Sequence, residues 1–307
     1  MKVLIVCGYK TGFPANVAPF VLEQVEALKK YQGIDARFYL VRSKGALGYL
    51  NERKGLTRVI RGFNPDVVHA HYGFCGLLAN LQRSIPVVTT YHGSDINVYP
   101  ALLFSRIAIF LSSHNIFVSR KHISRYGTKK RSSLIPCGVD MELFKQIDKT
   151  KVRAQLGWDT HSIHILFAGS FNNRVKAPEL ALQSVSKIDN CNLHELKDYS
   201  RKEVCLLLNS VDALLMTSVT EGSPQIIKEA MACGCPIVSV NVGDVKEIIG
   251  NMNGSFITKR DPENIALAIK EVLKLNVRTE GRKRITYLGL DNSLVAKRII
   301  QIFKRVI

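Results

Sequence analysis

Two glutamates eight positions apart, Glu221 and Glu229, are the side chains of this sequence whose spacing most suggests chemistry. The residues between them predict a loop that carries one carboxylate and a helix that carries the other in its second turn. Both carboxylates can then face one crevice without bonding to each other. By itself, the spacing fits either substrate-binding carboxylates or two solvated carboxylates beside an ordinary crossover helix.

The predicted helix has a start signal and a stop signal. Ser223 can cap its first turn through the hydroxyl, Pro224 suits the first helical position, and Gly234 suits a left-handed stop. The backbone amides of Gln225 and Ile226 then lie at the positive end of the helix dipole. Such amides suit a sugar hydroxyl or an anionic oxygen.

Two cations follow a strand predicted at residues 163–169. Arg174 and Lys176 lie in the loop that begins at Gly169 and Ser170, ahead of a helix that begins near Pro178. Cations at the carboxyl edge of a strand suit a phosphate group. By position alone they suit plain water equally well.

A histidine and an aspartate, His92 and Asp95, follow another predicted strand, in the first half of the chain. A histidine at the end of a strand fits a structural hydrogen bond or a substrate contact. His69 and His71 share one face of the preceding strand. No third ligand has a convincing spacing, so we predict no metal site there.

Short apolar runs that alternate with helical stretches must position these side chains. Eight runs predict strands: Val3–Cys7, Ala36–Val41, Val67–His71, Val87–Tyr91, Asn115–Ser119, Ile163–Gly169, Ala213–Thr217 and Ile237–Val240. The pattern predicts an α/β fold of two Rossmann-like, doubly wound domains that face each other across a cleft. We place the first domain at residues 1–150, with a linker at 145–151, and the second at 151–290. Residues 291–307 predict a closing amphipathic helix.

Composition indicates a folded protein in reducing surroundings. Of the 307 residues, 46% are hydrophobic and 22% charged, and no uncharged apolar window reaches the roughly 18 residues of a membrane span. Seven scattered cysteines argue against a disulfide framework and favour a cytoplasmic location.

The net charge of +18 is concentrated in the first half, at +14 over residues 1–157 and +4 over 158–307. Two basic clusters contribute to it: Arg53, Lys54, Arg58 and Arg61, then Arg120, Lys121, Arg125, Lys129, Lys130 and Arg131. They suit an anionic membrane surface or a polyanionic acceptor, or they form a plain solvated surface. Nucleic acid is not an expected partner, because no binding module accompanies the charge.

The wider sequence around the glutamates resembles the nucleotide-sugar motif of the family 4 retaining glycosyltransferases, which have the GT-B fold. The resemblance runs from Val3 to about Leu273, and the motif lies at residues 217–224, 229–232, 234–238 and 242–247. It implies that Glu229 binds the nucleotide ribose. It also implies that the donor sugar is held by Glu221 and the residues after it: Gly222, Ser223, Pro224, Gln225 and Ile226.

The resemblance assigns further roles. Lys176 matches the phosphate-binding lysine of the family, and His92 matches a contact that positions the sugar, so Glu221, Lys176 and His92 are the expected catalytic residues. The family arginine normally follows the glycine directly, where this chain has Ser170, and Arg174 is the candidate substitute on the donor side. Because the family lacks a metal motif, we expect neither a metal nor another cofactor.

The acceptor side is the least defined part of the resemblance. Gly12, in a first loop that matches neither a dinucleotide nor a phosphate-binding loop, and Asp95 are the acceptor-side candidates. The resemblance implies metal-independent, retaining hexosyl transfer to a saccharide or lipid-linked acceptor in surface polysaccharide synthesis, at the cytoplasmic face of a membrane. The alternatives are a nucleotide-sugar epimerase, a non-catalytic sugar-nucleotide sensor or partner subunit, and a polyanion-binding protein.

Overall fold

The chain forms two compact α/β units, as described by a computed structural model that covers residues 1–43, 45–128 and 130–307. Unit 1 comprises Met1–Gly138 and Asn292–Ile307, and unit 2 comprises Val139–Asp291. No helix within the covered ranges has the length and apolarity that a membrane crossing demands. Lys129, a member of the second basic cluster, lies outside the described residues.

Unit 1 contains a six-stranded parallel sheet in the order β2-β1-β3-β4-β5-β6. Its strands are β1 (Lys2–Gly8), β2 (Asp35–Val41), β3 (Val67–His71), β4 (Val87–Tyr91), β5 (His114–Phe117) and β6 (Ser132–Leu134). Its helices are α1 (Pro19–Lys29), α2 (Gly45–Asn51), α3 (Arg53–Phe63), α4 (Gly73–Asn80), α5 (Ser94–Asn97), α6 (Ala101–Leu111), α7 (Arg120–Tyr126) and the terminal α15 (Asn292–Val306). The strand order reverses beside β1, because β2 and β3 lie on opposite sides of it.

Unit 2 contains a five-stranded parallel sheet in the order β11-β10-β9-β7-β8. Its strands are β7 (Ile163–Phe167), β8 (Cys191–Glu195), β9 (Ala213–Met216), β10 (Ile237–Val240) and β11 (Ser255–Thr258). Its helices are α8 (Lys149–Leu156), α9 (Pro178–Val185), α10 (Arg201–Ser210), α11 (Gln225–Ala232), α12 (Val245–Ile249), α13 (Pro262–Leu275) and α14 (Gly281–Leu288). Here the order reverses beside β7, which lies between β8 and β9. Open α/β sheets bind ligands outside the carboxyl ends of the strands at such a reversal.

The interior strands are continuous apolar runs because helices cover both faces of each sheet. Every residue of Ala213–Met216 is fully buried, as are Val3–Val6 in the other sheet. The terminal helix α15 completes the core of unit 1 with Val295, Ile299 and Phe303. The Tyr31 hydroxyl also donates to the Ser293 carbonyl at 2.7 Å. This bond ties the start of α15 to the segment that follows α1.

Three strands were absent from the sequence prediction: β6, β8 and β11. Each lies at the edge of its sheet, and its residues are mostly half-buried. These three strands lack the apolar run by which the other strands were predicted, including the edge strand β2. Residues 187–209 contain strand β8 and most of helix α10.

The boundary between the units differs from the predicted position at residues 150 and 151. The second unit begins at Val139, because Val139, Met141 and Phe144 are buried in its core. Arg282 donates to the carbonyls of Met141 at 2.8 Å and Phe144 at 2.9 Å. The predicted linker at 145–151 is thus part of unit 2 and includes the start of α8.

Candidate functional site

Two loops meet at the strand-order reversal of unit 2, one after β7 and one after β9. The Thr217 hydroxyl donates to the carbonyls of Lys176 at 2.8 Å and Ala177 at 3.0 Å. The Val219 amide donates to the Val175 carbonyl at 2.8 Å. These bonds hold the predicted Lys176 loop against the predicted Glu221 loop, although more than forty residues separate them in sequence.

Lys176 and Glu221 form an ion pair at this edge. The Lys176 Nζ lies 2.6 Å from Glu221 Oε1, and the two side chains are 25% and 16% exposed. Two glycines make room for the pair. A Cβ on Gly169 would lie 2.6 Å from Lys176 Cγ, and one on Gly243 would lie 2.7 Å from the Gly222 carbonyl oxygen.

An arginine side chain binds the backbone of the loop after β9. Arg260 Nη1 donates to the carbonyls of Thr217 at 2.7 Å and Ser218 at 2.9 Å. The sequence analysis did not single out Arg260, because a carbonyl-binding arginine leaves no local motif. Its role here is to fix the backbone from which Glu221 projects.

Helix α11 differs from its prediction at the start and agrees at the end. It begins at Gln225 with Pro224 as the N-cap residue, and no side chain caps it. The predicted Ser223 cap is therefore wrong: the extended Pro224 moves the first turn one residue along the chain, out of reach of the serine. Gly234 has φ +67°, and the Schellman bonds from the amides of Gly234 and Cys235 end the helix as predicted.

Glu229 projects from α11 and is only 2% exposed, with Arg201 Nη2 2.5 Å from its Oε1. Arg201 is the first residue of α10, which Ser200 and Glu203 start with a capping box. Its guanidinium also lies 4.8 Å from the ring centroid of Phe144. The sequence analysis missed Arg201. The Ser200–Glu203 spacing is the signal that could have located the helix start on which Arg201 lies.

Three buried polar atoms at the loops after β9 and β10 have no hydrogen-bond partner among the described residues: Ser218 Oγ, Ser223 Oγ and Asp244 Oδ1. Buried polar atoms without partners are rare in folded proteins. Burial also raises the pKa of the Asp244 carboxyl. This edge therefore has hydrogen-bonding capacity beyond what the protein itself satisfies.

Ser170 and Arg174, the two uncertain donor-side residues, are not brought to the ion pair by any hydrogen bond. The Ser170 hydroxyl donates to Glu195 Oε2 at 3.1 Å, and the Phe171 amide donates to the same oxygen at 2.8 Å. Arg174 is exposed, and within the described ranges its guanidinium forms no hydrogen bond or ion pair. Ser170 thus ties its loop to the end of β8, and Arg174 faces solvent.

The remaining predicted residues lie in unit 1. His92 follows β4, and its Nε2 lies 3.0 Å from Nδ1 of His71. Its ring centroid is 4.8 Å from that of Phe20 and 4.7 Å from that of Tyr72. Gly12 lies in the exposed loop after β1, with φ +80°.

Asp95 is buried and serves the backbone of unit 1. Its Oδ1 accepts from the amides of His92 at 3.1 Å and Gly93 at 2.9 Å, and its Oδ2 accepts from the Gly73 amide at 3.1 Å. Burial raises the pKa of this carboxyl to about 6. Asp95 therefore positions the His92 loop, and its oxygens are engaged inside the protein rather than turned to an acceptor.

His69 and His71 are fully buried. His69 Nε2 lies 2.8 Å from the Thr90 hydroxyl, and burial lowers the pKa of His69 to about 3 and that of His71 well below its usual value. Both rings are thus neutral at pH 7. No group of three or more side chains arranged to hold a metal ion occurs in the part of the chain that the structure covers.

Two family models match the chain. Residues 5–143 match the model described as Glycosyltransferase Family 4, and residues 151–275 match the model described as Glycosyl transferases group 1. Together the two models account for most of the sequence. Their junction, at residues 144–150, lies in the first part of unit 2, which begins at Val139.

The chain is also similar to a curated protein in sequence and to two solved structures in fold. The chain is 24% identical to the putative teichuronic acid biosynthesis glycosyltransferase TuaC of Bacillus subtilis, in an alignment that covers 68% of this chain and 61% of TuaC. It thus spans about three fifths of the length of that relative.

Sucrose-phosphate synthase from Thermosynechococcus elongatus superposes with a TM-score of 0.86 at 16% identity, over 99% of this chain and 98% of that one. HepE of Anabaena in complex with UDP-glucose superposes with a TM-score of 0.77 at 16% identity, over 99% of this chain and 100% of that one. At these identities the similarity concerns the fold, and it confirms the predicted class of two Rossmann-like α/β domains.

Proposed function

Because this chain belongs to family 4 of the glycosyltransferases, group 1 type, with the GT-B fold, we propose that it transfers a sugar from a nucleotide-diphosphate sugar to a saccharide or lipid-linked acceptor. The observation that carries this proposal is the Lys176–Glu221 ion pair at the strand-order reversal of unit 2. Two fixed loops hold the pair where sheets of this kind bind ligands.

The charges of the site match the two ends of such a donor. The Lys176 ammonium suits the diphosphate, and the Glu221 carboxylate suits the hydroxyls of the sugar. The ammonium and the carboxylate lie 2.6 Å apart and neutralise each other. A donor that offers both anionic oxygens and hydroxyls can replace that contact on both sides.

The surroundings of the pair add to this match. The unpartnered hydroxyls of Ser218 and Ser223 provide further hydrogen bonds, and the amides of Gln225 and Ile226 lie at the N-terminus of α11. The presence of UDP-glucose in HepE, a protein of the same fold, supports a nucleotide sugar as the ligand.

Glu229 is the proposed contact for the ribose hydroxyls. It is almost completely buried and already paired with Arg201, so the carboxylate is oriented before the nucleotide arrives. A preoriented carboxylate loses little conformational entropy on binding.

The proposed reaction breaks the bond between the sugar C1 and the phosphate oxygen and forms a bond between C1 and the acceptor oxygen. Negative charge develops on the departing diphosphate, where Lys176 and the positive end of the α11 dipole stabilise it. The acceptor proton passes to the released phosphate oxygen as the hydroxyl enters on the same face, so the anomeric configuration is retained. Lys176 supplies the positive charge that this step needs, and we therefore propose metal-independent transfer. His92 is the proposed sugar-positioning contact from unit 1.

The acceptor is proposed from chemistry and from the printed function of a relative. The basic excess of unit 1 suits an anionic or lipid-linked saccharide, and TuaC is named as a putative glycosyltransferase of teichuronic acid biosynthesis. We propose surface polysaccharide synthesis at the cytoplasmic side of a membrane. The free cysteines of the described residues fit such reducing surroundings.

The test uses labelled UDP- and GDP-sugars with extracted membranes, with and without a metal chelator. We expect a labelled glycan or glycolipid product that survives chelation and disappears in Glu221→Gln. A change of the donor sugar without any acceptor would instead indicate an epimerase. Nucleotide binding without turnover for any acceptor would indicate a sensor, and either result would overturn the proposal.

A further inference from the structure

Helix α6 of unit 1 exposes an apolar face. Leu103, Ile107 and Phe110 are 48%, 44% and 73% exposed, and Tyr99, just ahead of the helix, is 76% exposed. Positions three and four apart lie on the same side of a helix, so Leu103, Ile107 and Phe110 form one stripe, and Tyr99 precedes it in the chain. We call these four residues the α6 face. Large apolar groups that project together into solvent usually mark an interaction surface.

Cations surround the α6 face. Arg106 is exposed between Leu103 and Ile107, and at the C-terminal end of the helix Arg131 Nη1 lies 3.4 Å from the Phe110 carbonyl. Arg83 Nη1 lies 3.4 Å from the Leu111 carbonyl. The sequence from residue 96 to residue 139 contains seven Lys and Arg and no Asp or Glu. The positive charge around the stripe therefore has no carboxylate from its own segment to balance it.

We infer that the α6 face docks unit 1 onto an anionic lipid surface. Aromatic and aliphatic side chains enter the boundary between headgroups and acyl chains, while arginines beside them bind lipid phosphates. A stripe flanked by Arg106, Arg83 and Arg131 suits a negative surface. The inference deepens the proposed function, since it rests on the lipid-linked acceptor suggested there.

The opposite side of α6 packs inside unit 1, beside the segment that includes Asp95. The Ser105 hydroxyl, which is buried, donates to the Asp95 carbonyl at 2.7 Å. A Cβ on Gly73 would lie only 1.8 Å from Ser105 Oγ, so α6 packs as closely as a glycine allows against the start of α4. The helix that carries the α6 face thus also backs the loop of His92.

The experiment is flotation of the whole protein with vesicles of phosphatidylcholine alone or mixed with phosphatidylglycerol, without any nucleotide sugar. We expect binding to the mixed vesicles that weakens with salt. Ile107→Glu with Phe110→Glu should reduce binding at least about tenfold, because two apolar side chains are lost from the interface. Arg106→Gln should reduce binding about fivefold, on the mixed vesicles only.

Matched controls lie in unit 2. Leu267 is 61% and Tyr287 is 84% exposed, and Leu267→Glu with Tyr287→Glu should bind vesicles like the unaltered protein. Lys270→Gln, on an exposed position of α13, is the control for Arg106→Gln. The altered residues are exposed, so each variant should keep the melting temperature of the unaltered protein.

Two results would overturn the docking inference: no binding to either kind of vesicle, or equal binding by the Ile107→Glu, Phe110→Glu variant. Capture of a protein through this face without vesicle binding would also overturn it. Transfer to a short soluble acceptor separates the two proposals. Vesicle binding in a protein that transfers no sugar would count against the proposed function alone, whereas transfer without vesicle binding would count against docking alone.

Discussion

Replacement of Lys176 by methionine removes the cation of the Lys176–Glu221 pair and keeps most of the volume of the side chain. The pair spans 2.6 Å and is 25% and 16% exposed, so its contribution lies between that of a surface pair and that of a fully buried one. We expect the free energy of unfolding to fall by about 2 kcal/mol. For a unit of about 150 residues this lowers the melting temperature by about 4–8 °C.

The same substitution should reduce the transfer rate far more than this destabilisation explains. Loss of a fixed positive group at developing negative charge typically reduces kcat about 100- to 1000-fold. The double variant Lys176→Met, Glu221→Gln leaves no unpaired charge, so it should regain most of the lost stability. It should still be inactive, because both donor contacts are gone.

Thermal denaturation without ligand and transfer at saturating donor separate these effects. Lys149→Met is the matched control, because Lys149 Nζ lies 2.7 Å from Asp212 Oδ1 with 30% and 16% exposure, at the opposite edge of the same sheet. Asp212 also pairs with Arg153, whose Nη2 lies 2.8 Å from Asp212 Oδ2. The Lys149→Met variant keeps this second pair, so it should lose less stability and transfer sugar normally. Recovery of transfer together with stability in the double variant would refute the catalytic role of the pair.

Three further outcomes are expected. Gly169→Ala should weaken nucleotide-sugar binding in calorimetric titration, because the new Cβ would lie 2.6 Å from Lys176 Cγ; unchanged affinity would contradict this. Gly234→Ala should lower the free energy of unfolding in urea by about 1–2 kcal/mol, since φ is +67° at this position; an unchanged midpoint would contradict it. The free energy of unfolding should fall on acidification below about pH 6.5. The pKa of His69 is about 3 in the folded state, so the unfolded state binds a proton on this histidine at higher pH than the folded state does. The contribution of His69 to the slope is up to about 1.4 kcal/mol per pH unit. The pKa of Asp95, raised to about 6, has the opposite sign and offsets part of this loss between about pH 6 and pH 4. His69→Asn should flatten the dependence in urea titrations at pH 7 and pH 5, and an unaltered slope would count against a neutral buried His69.

Much of the fold follows from local pattern. The interior strands, such as Ala213–Met216, are fully buried, and burial on both faces requires the apolar runs by which they were predicted. The positions of Lys176 and Glu221 followed in the same way, since each lies in a loop just after such a strand. The edge strands β6, β8 and β11 were missed because half-buried residues leave no such run.

The contacts of the site depended on tertiary structure. Arg201 pairs with Glu229 across two helices, and Ser170 bonds to Glu195 at the end of an edge strand. Neither contact has a signal in the spacing of the sequence. The failed Ser223 cap has a local cause, because the extended Pro224 moves the helix start.

The sequence by itself determined the α/β class, the interior strands and the loops on which Lys176 and Glu221 lie, because the burial of strands and the stops of helices depend on neighbouring residues. Only the tertiary structure decided that β7 lies between β8 and β9, and with it the ion pair of Lys176 and Glu221. Strand order is a property of the whole sheet. It depends on how all the helices and strands pack together, so no short stretch of sequence encodes it.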